Sequence, residues 1–191
     1  MLKKRAKILS DQQINELLTF ANRSRYSARN RVLVLLSVRA GLRAGEIAAL
    51  SWDMVLDPAG AVAPHLELRD HAAKKGSGRV IPLHRDLHAA LTNWLKEIGG
   101  RGAVIRSERG GHMTPVSIVN FFALAYATLG FEGCSSHSGR RTFITRAARL
   151  VHQAGGSLRD VQILAGHKSI AVTQGYIEGD SDAQRRLVAL V

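Results

Sequence analysis

His137 and Arg140 stand three residues apart in the last third of this 191-residue chain, followed by His167, and Tyr176 lies nine positions after that second histidine. Cationic side chains can grip a phosphodiester while a phenol attacks its phosphorus. Arg43 in AGLRAGE and Lys74 in KKGSGRVIPL complete such a set. The array predicts DNA strand cleavage through a covalent protein intermediate.

Cleavage of this kind needs charge stabilisation on the non-bridging oxygens, a proton donor for the leaving 5′-oxygen and an activated attacker. A metal could supply the first two, but the sequence has no HExxH, no clustered carboxylates and no His/Cys cluster at ligand spacing. The cations must therefore come from side chains, and neither a metal nor a cofactor is expected. Arginine suits the phosphate because its planar fork donates bidentately and stays charged, which selects Arg43 and Arg140. Glu46 lies one helical turn after Arg43 and can hold its guanidinium, although spacing alone favours a plain surface helix pair. His137 and Arg140, at i and i+3, share a helix face near a helix start, where backbone N–H groups favour an anion. Arg141 reads as a neighbouring phosphate contact or as surface. Tyr176 is the attacker, the alternative being a half-buried aromatic with a satisfied hydroxyl. A lysine ammonium at a hairpin tip can donate to the departing oxygen.

The elements that must carry these residues are legible in the pattern. Ser10 and Gln13 form a capping box ahead of Ile14, Leu17, Leu18 and Ala21, which predicts a helix from residue 11 behind a basic tail at 1–9. Residues 27–40 read as a buried helix stopped near Gly41, and a short helix at 44–50 puts Arg43 at its start. Pro64–Asp70 and Gly78–Leu83 alternate like strands and predict a β-hairpin with Lys74 and Lys75 near its tip. Helices are predicted at 84–98, 115–129, 137–150, 158–165 and 169–177. With no repeat and no low-complexity linker, one domain is expected. The fold class is α+β, mainly α-helical, with a small β-hairpin on one edge.

Twenty-seven Lys and Arg against fifteen Asp and Glu leave a formal charge of +12. Such an excess favours a polyanionic partner, since neutralised phosphates release condensed counterions, with mere solubility charge as the alternative. Cys134 is the only cysteine, which excludes an intramolecular disulfide and fits a reducing compartment. No run approaches the roughly eighteen apolar residues of a membrane span, and a cytoplasmic location is expected.

Taken together, AGLRAGEIAAL, AKKGSGRVIPL, HSGRRTF and LAGHKSIAVTQGYI, with the His-to-Tyr interval, resemble in kind and order the tyrosine recombinases of the phage integrase family. The resemblance runs from about residue 8 to 178. It implies the catalytic fold of that family over residues 10–178 and a catalytic set of Arg43, Lys74, His137, Arg140, His167 and Tyr176, supported by Glu46. Tyr176 is then the nucleophile that forms a 3′-phosphotyrosyl link, Arg43 and Arg140 the phosphate clamp, His137 the proton-transfer member and His167 a phosphate ligand. Lys74, eight residues before Pro82, matches the hairpin lysine, with Lys75 as its substitute. Lys75, Arg79, Arg141 and Lys168 are expected on the DNA.

The resemblance further implies duplex DNA as partner, a tetramer on two duplexes, strand exchange without ATP, and no membrane. Residues 179–191 resemble a C-terminal helix that docks on a neighbouring protomer, or else packs on its own. Gly139 and Arg141 depart from the commoner leucine and histidine of their box. Typical members carry a helical core-binding domain ahead of the catalytic one, so this chain is expected to be either a fragment or one of the short members. The competing functional readings are a type IB topoisomerase-like enzyme and a DNA-binding regulator that no longer cuts.

Overall fold

The computed structural model describes residues 6–74, 76–176 and 188–189, and the chain divides into two compact units, Met1–Phe143 and Ile144–Val191. The first unit opens with helix α1 (Asp11–Asn22), whose start is set by the expected capping box. Ser10 Oγ accepts from the Gln13 N–H at 3.1 Å, and Gln13 Oε1 accepts from the Ser10 N–H at 3.0 Å. Helix α2 (Ser27–Arg39) buries Val32 to Leu36 and Val38 and so runs through the interior. It stops ahead of Gly41, whose φ of 64° is left-handed and whose Cα faces the Phe143 ring so closely that a Cβ would overlap it.

Helix α3 (Ala44–Ala49) follows, then a 3₁₀ turn at Trp52–Met54 that the sequence does not announce. Strands β1 (His65–Leu68) and β2 (Arg79–Pro82) pair antiparallel, His65 opposite Pro82 and Leu68 opposite Arg79, as the hairpin reading expects. Leu66, Leu68 and Ile81 point inward from this ribbon. Helices α4 (Arg85–Ile98) and α5 (Pro115–Thr128) complete the layer around a core that contains Trp52, Leu33, Leu35, Leu36 and Phe122. Each such side chain contributes roughly 1.5–3 kcal/mol by leaving water.

Helix α6 (Ser138–Leu150) begins in the first unit. The segment ahead of α1 is fastened to the same region: Lys7 N–H donates to the Gly133 carbonyl at 3.0 Å, and Leu9 N–H to Thr142 Oγ1 at 2.8 Å.

The second unit holds the end of α6, helix α7 (Leu158–Ala165) and helix α8 (Ile170–Gln174). Asp160 accepts from the Ser157 N–H at 2.7 Å to start α7, and Gly166, with φ of 61°, ends it. Helix α8 is shorter than the expected 169–177. Gly175 disfavours continuation, and the Tyr176 N–H closes a tight turn onto the Thr173 carbonyl at 3.0 Å. The helix expected at 179–191 lies outside the described residues except for 188 and 189. Among the described residues no helix is long and apolar enough to cross a membrane.

Candidate active site

In the first unit, Arg43 stands at the N-cap of α3 and Glu46 at its third helical position. The Glu46 side chain folds back: Oε2 accepts the Arg43 backbone N–H at 2.9 Å, and Oε1 accepts Arg43 Nη1 at 2.6 Å. The pairing read from spacing is therefore present, and it is far from a loose surface contact, because the Glu46 side chain is only 2% exposed against 22% for Arg43. A second arginine meets the same carboxylate. Arg79 Nη1 donates to Oε1 at 3.2 Å and Nη2 to Oε2 at 3.0 Å. Burial alone would lift the Glu46 pKa, but the hydrogen bonds and charge of Arg79, then those of Arg43, outweigh it and hold it at about 2.

Across the same unit, His137 precedes α6, its carbonyl accepting the Arg141 N–H at 2.9 Å. Arg140, one turn on, is 3% exposed, and its Nη1 donates to the Gly41 carbonyl at 2.6 Å, which ties α6 to the turn that presents Arg43. His137 is exposed as a residue, but its imidazole is partly desolvated by its surroundings. Its pKa is lowered from the ordinary histidine value, first by desolvation and then by the positive charges of Arg140, Arg43 and Lys74. The first unit thus gathers four of the six expected catalytic residues into one electrostatic neighbourhood. Lys74 is exposed, and its carbonyl accepts from Ser77 Oγ at 2.9 Å in the turn between β1 and β2.

The second unit holds the other two. His167 follows the left-handed Gly166, and its ring lies stacked on that of Tyr176 with centroids 5.3 Å apart. His167 is 8% exposed, with Nδ1 at 2.9 Å from Thr173 Oγ1 and its carbonyl accepting from Gln162 Nε2 at 2.9 Å. Thr145 Oγ1 donates to the Tyr176 carbonyl at 3.3 Å. Tyr176 itself is half-buried.

The residues expected on DNA are placed differently from one another. Lys168 is exposed. Arg141 is half-buried, and its Nη1 donates to the Ala6 carbonyl at 2.8 Å, so it holds the segment ahead of α1. Arg79 is a correction: its side chain is 2% exposed and locked against Glu46, where no nucleic acid can reach it. The signal lies in the strand period. Arg79 and Ile81 fall on the same face of β2, and that face is the inner one. Lys75 lies outside the described residues. Among the described residues no cluster of three or more His, Cys, Asp or Glu could hold a metal.

The first unit thus presents a buried carboxylate holding an arginine and a His/Arg pair at a helix start, and the second a histidine stacked on a tyrosine. The family model described as the phage integrase family matches residues 7–182. The chain belongs to this family. Among integrase relatives, it is 29% identical over 177 residues to a putative integrase/recombinase, y4rC, of Sinorhizobium fredii, covering 89% of this chain and 51% of that one. It is likewise 29% identical to the tyrosine recombinase XerC of Erythrobacter litoralis, over 97% of this chain and 58% of that protein. The chain therefore spans between half and three fifths of the length of these two relatives. The fold matches that of the Tn1549 transposon integrase, solved in complex with a circular intermediate DNA. The TM-score is 0.73 at 19% identity, over 100% of this chain and 67% of that one. The tyrosine recombinase catalytic fold, mainly helical with a small two-stranded sheet, is thereby established for this integrase-family chain.

Proposed function

We propose that this chain carries the catalytic chemistry of a site-specific recombinase that cleaves and rejoins duplex DNA through a 3′-phosphotyrosyl bond. Arg43 and Arg140 hold the scissile phosphate, and His167 hydrogen-bonds it. The Tyr176 oxygen attacks phosphorus while its proton passes to His137, and the bond to the 5′-oxygen breaks as Lys74 donates the proton that oxygen needs. The phosphodiester energy is kept in the new ester, so a 5′-hydroxyl from another strand reverses the step without ATP. DNA is the partner and a homo-oligomer on DNA the working assembly, with Lys168 and Lys75 as its contacts to the phosphate backbone.

The observation that carries this reading is the built setting of the two arginines, Arg43 held by the buried Glu46 and Arg140 by the Gly41 carbonyl next to the Arg43 turn. Cations set near His137, whose pKa is lowered by desolvation and then by those charges, suit a reaction that builds negative charge on phosphate oxygens. The DNA held by the Tn1549 relative supports the substrate class.

The experiment is a nicked suicide duplex carrying the target site, from which the cleaved 5′-end diffuses away. A covalent protein–DNA adduct that disappears in Tyr176→Phe, together with recombinant joints between two DNA molecules, is the expected result. Relaxed circles without joints would indicate a topoisomerase, and binding without any adduct a regulator.

A further inference from the structure

Arg79 is a buried guanidinium that the chemistry above leaves without a role. Its side chain and that of Glu46 are each 2% exposed, and together with Arg43 they saturate one carboxylate. Oε1 accepts from the Nη1 of both arginines, and Oε2 accepts from the Arg43 backbone N–H and from Arg79 Nη2. A carboxylate has about four lone-pair sites, so this one has no room to turn. The Arg79 fork, rooted in β2, fixes the plane of the carboxylate, and that plane fixes Arg43, the more exposed of the two guanidiniums. Arg79 also reaches the hairpin turn. Its Nη1 donates to the Ser77 carbonyl at 3.3 Å, while Ser77 Oγ donates to the Lys74 carbonyl at 2.9 Å.

We propose that Arg79 is a positioning residue for strand cleavage, aiming Arg43 through Glu46. Charge balance supports the same role. With Arg79 as a resident counterion, Glu46 does not need the whole charge of Arg43, which keeps N–H groups to offer a phosphate. The effect on rate rests on the recombinase reading, whereas the effect on Arg43 itself does not.

Arg79→Met would leave Glu46 buried without its counterion and is liable to unfold. The informative variant is Arg79→Lys, which keeps the charge and loses the fork. The full chain carrying Arg79→Lys should melt in one transition and bind duplex DNA within about twofold of the unaltered protein. Its single-turnover cleavage should be slower by about 10- to 100-fold. The Arg43→Lys/Arg79→Lys double variant should cleave about as fast as Arg43→Lys alone, since both changes act on one guanidinium. Independent multiplication of the two losses, or cleavage by Arg79→Lys at the unaltered rate, overturns the proposal. A readout without DNA separates this claim from the recombinase reading. The Nε–H signal of Arg43 in ¹⁵N NMR should be that of an ordered side chain in the unaltered protein and motionally averaged in Arg79→Lys. If the unaltered protein forms no adduct, the recombinase reading fails, and the NMR comparison alone decides: averaging upholds the positioning role, an unchanged signal refutes it.

Discussion

The Tyr176 ring lies on the His167 ring with planes inclined by 26°, while His167 Nδ1 sits 2.9 Å from Thr173 Oγ1. Three residues of one short segment thus share a single arrangement, in which the threonine hydroxyl orients the imidazole and the imidazole faces the phenol. A histidine's second ring nitrogen takes its tautomer from the bond made by the first.

Thr173 is fully buried, so Thr173→Val removes the hydroxyl with little change of shape and leaves Nδ1 without that partner. A loss of about 1–3 kcal/mol in urea unfolding is expected, with slower adduct formation on a suicide duplex. Tyr176→Phe, which keeps the ring, should unfold at nearly the unaltered urea concentration. Cleavage by Thr173→Val at the unaltered rate would show that the hydroxyl does not orient His167.

Glu46 predicts a specific acid response. Its folded pKa of about 2 lies below the 4.5 of an ordinary glutamate, so on acidification the unfolded chain takes up this proton first. The stabilisation is complete above pH 4.5 and is lost as pH falls from there toward 2, by about 3 kcal/mol in all. Glu46→Gln has no such proton to bind. Its stability deficit relative to the unaltered protein, followed by urea unfolding at stepped pH, should therefore shrink below pH 4.5. Parallel curves through that range would contradict the buried ion-pair arrangement.

His137 should be neutral at pH 7 and able to accept a proton, because burial and then Arg140, Arg43 and Lys74 lower its pKa from 6.5. Its ring-proton NMR titration should have a midpoint below that value. Cleavage should fall on the acid side as pH drops through the same midpoint. Lys74→Met takes away one of the three charges and should move the midpoint upward, toward ordinary histidine. A midpoint that stays put would mean that Lys74 does not act at His137.

Much of the fold is legible in the sequence because the signals are local. Ser10 and Gln13 cap α1 through a three-residue exchange, and the alternation around Leu66 and Ile81 sets the hairpin. What the sequence conceals depends on partners distant along the chain. Arg79 reads as a surface cation because its counterion, Glu46, is 33 residues away. Arg141 reads as a phosphate contact, but its acceptor is the Ala6 carbonyl, 135 residues upstream. The Thr173 hydroxyl is close in sequence to His167, yet nothing in an isolated threonine tells a ligand from a helix residue. The end of α8 before Tyr176 turns on Gly175, a weak stop signal that the expected helix at 169–177 runs through.

Gly139 marks a close approach of α6 to α2. A Cβ there would overlap Ser37 Oγ and stand 3.0 Å from Ser37 Cβ and 3.1 Å from Val38 Cγ1. Ser37 is fully buried, and its hydroxyl has no hydrogen-bond partner among the described residues. Gly139→Ala should therefore cost about 1–3 kcal/mol through overpacking, even though alanine favours a helix more than glycine does. Ser37→Ala alone should be close to neutral or stabilising, since it removes a buried polar atom that forms no bond. Because the closest overlap is with that hydroxyl, the Ser37→Ala/Gly139→Ala double variant should recover part of the loss. Thermal and urea unfolding of the three variants check this. Equal destabilisation by Gly139→Ala with and without Ser37→Ala would place the strain at the Ser37 Cβ and Val38 instead.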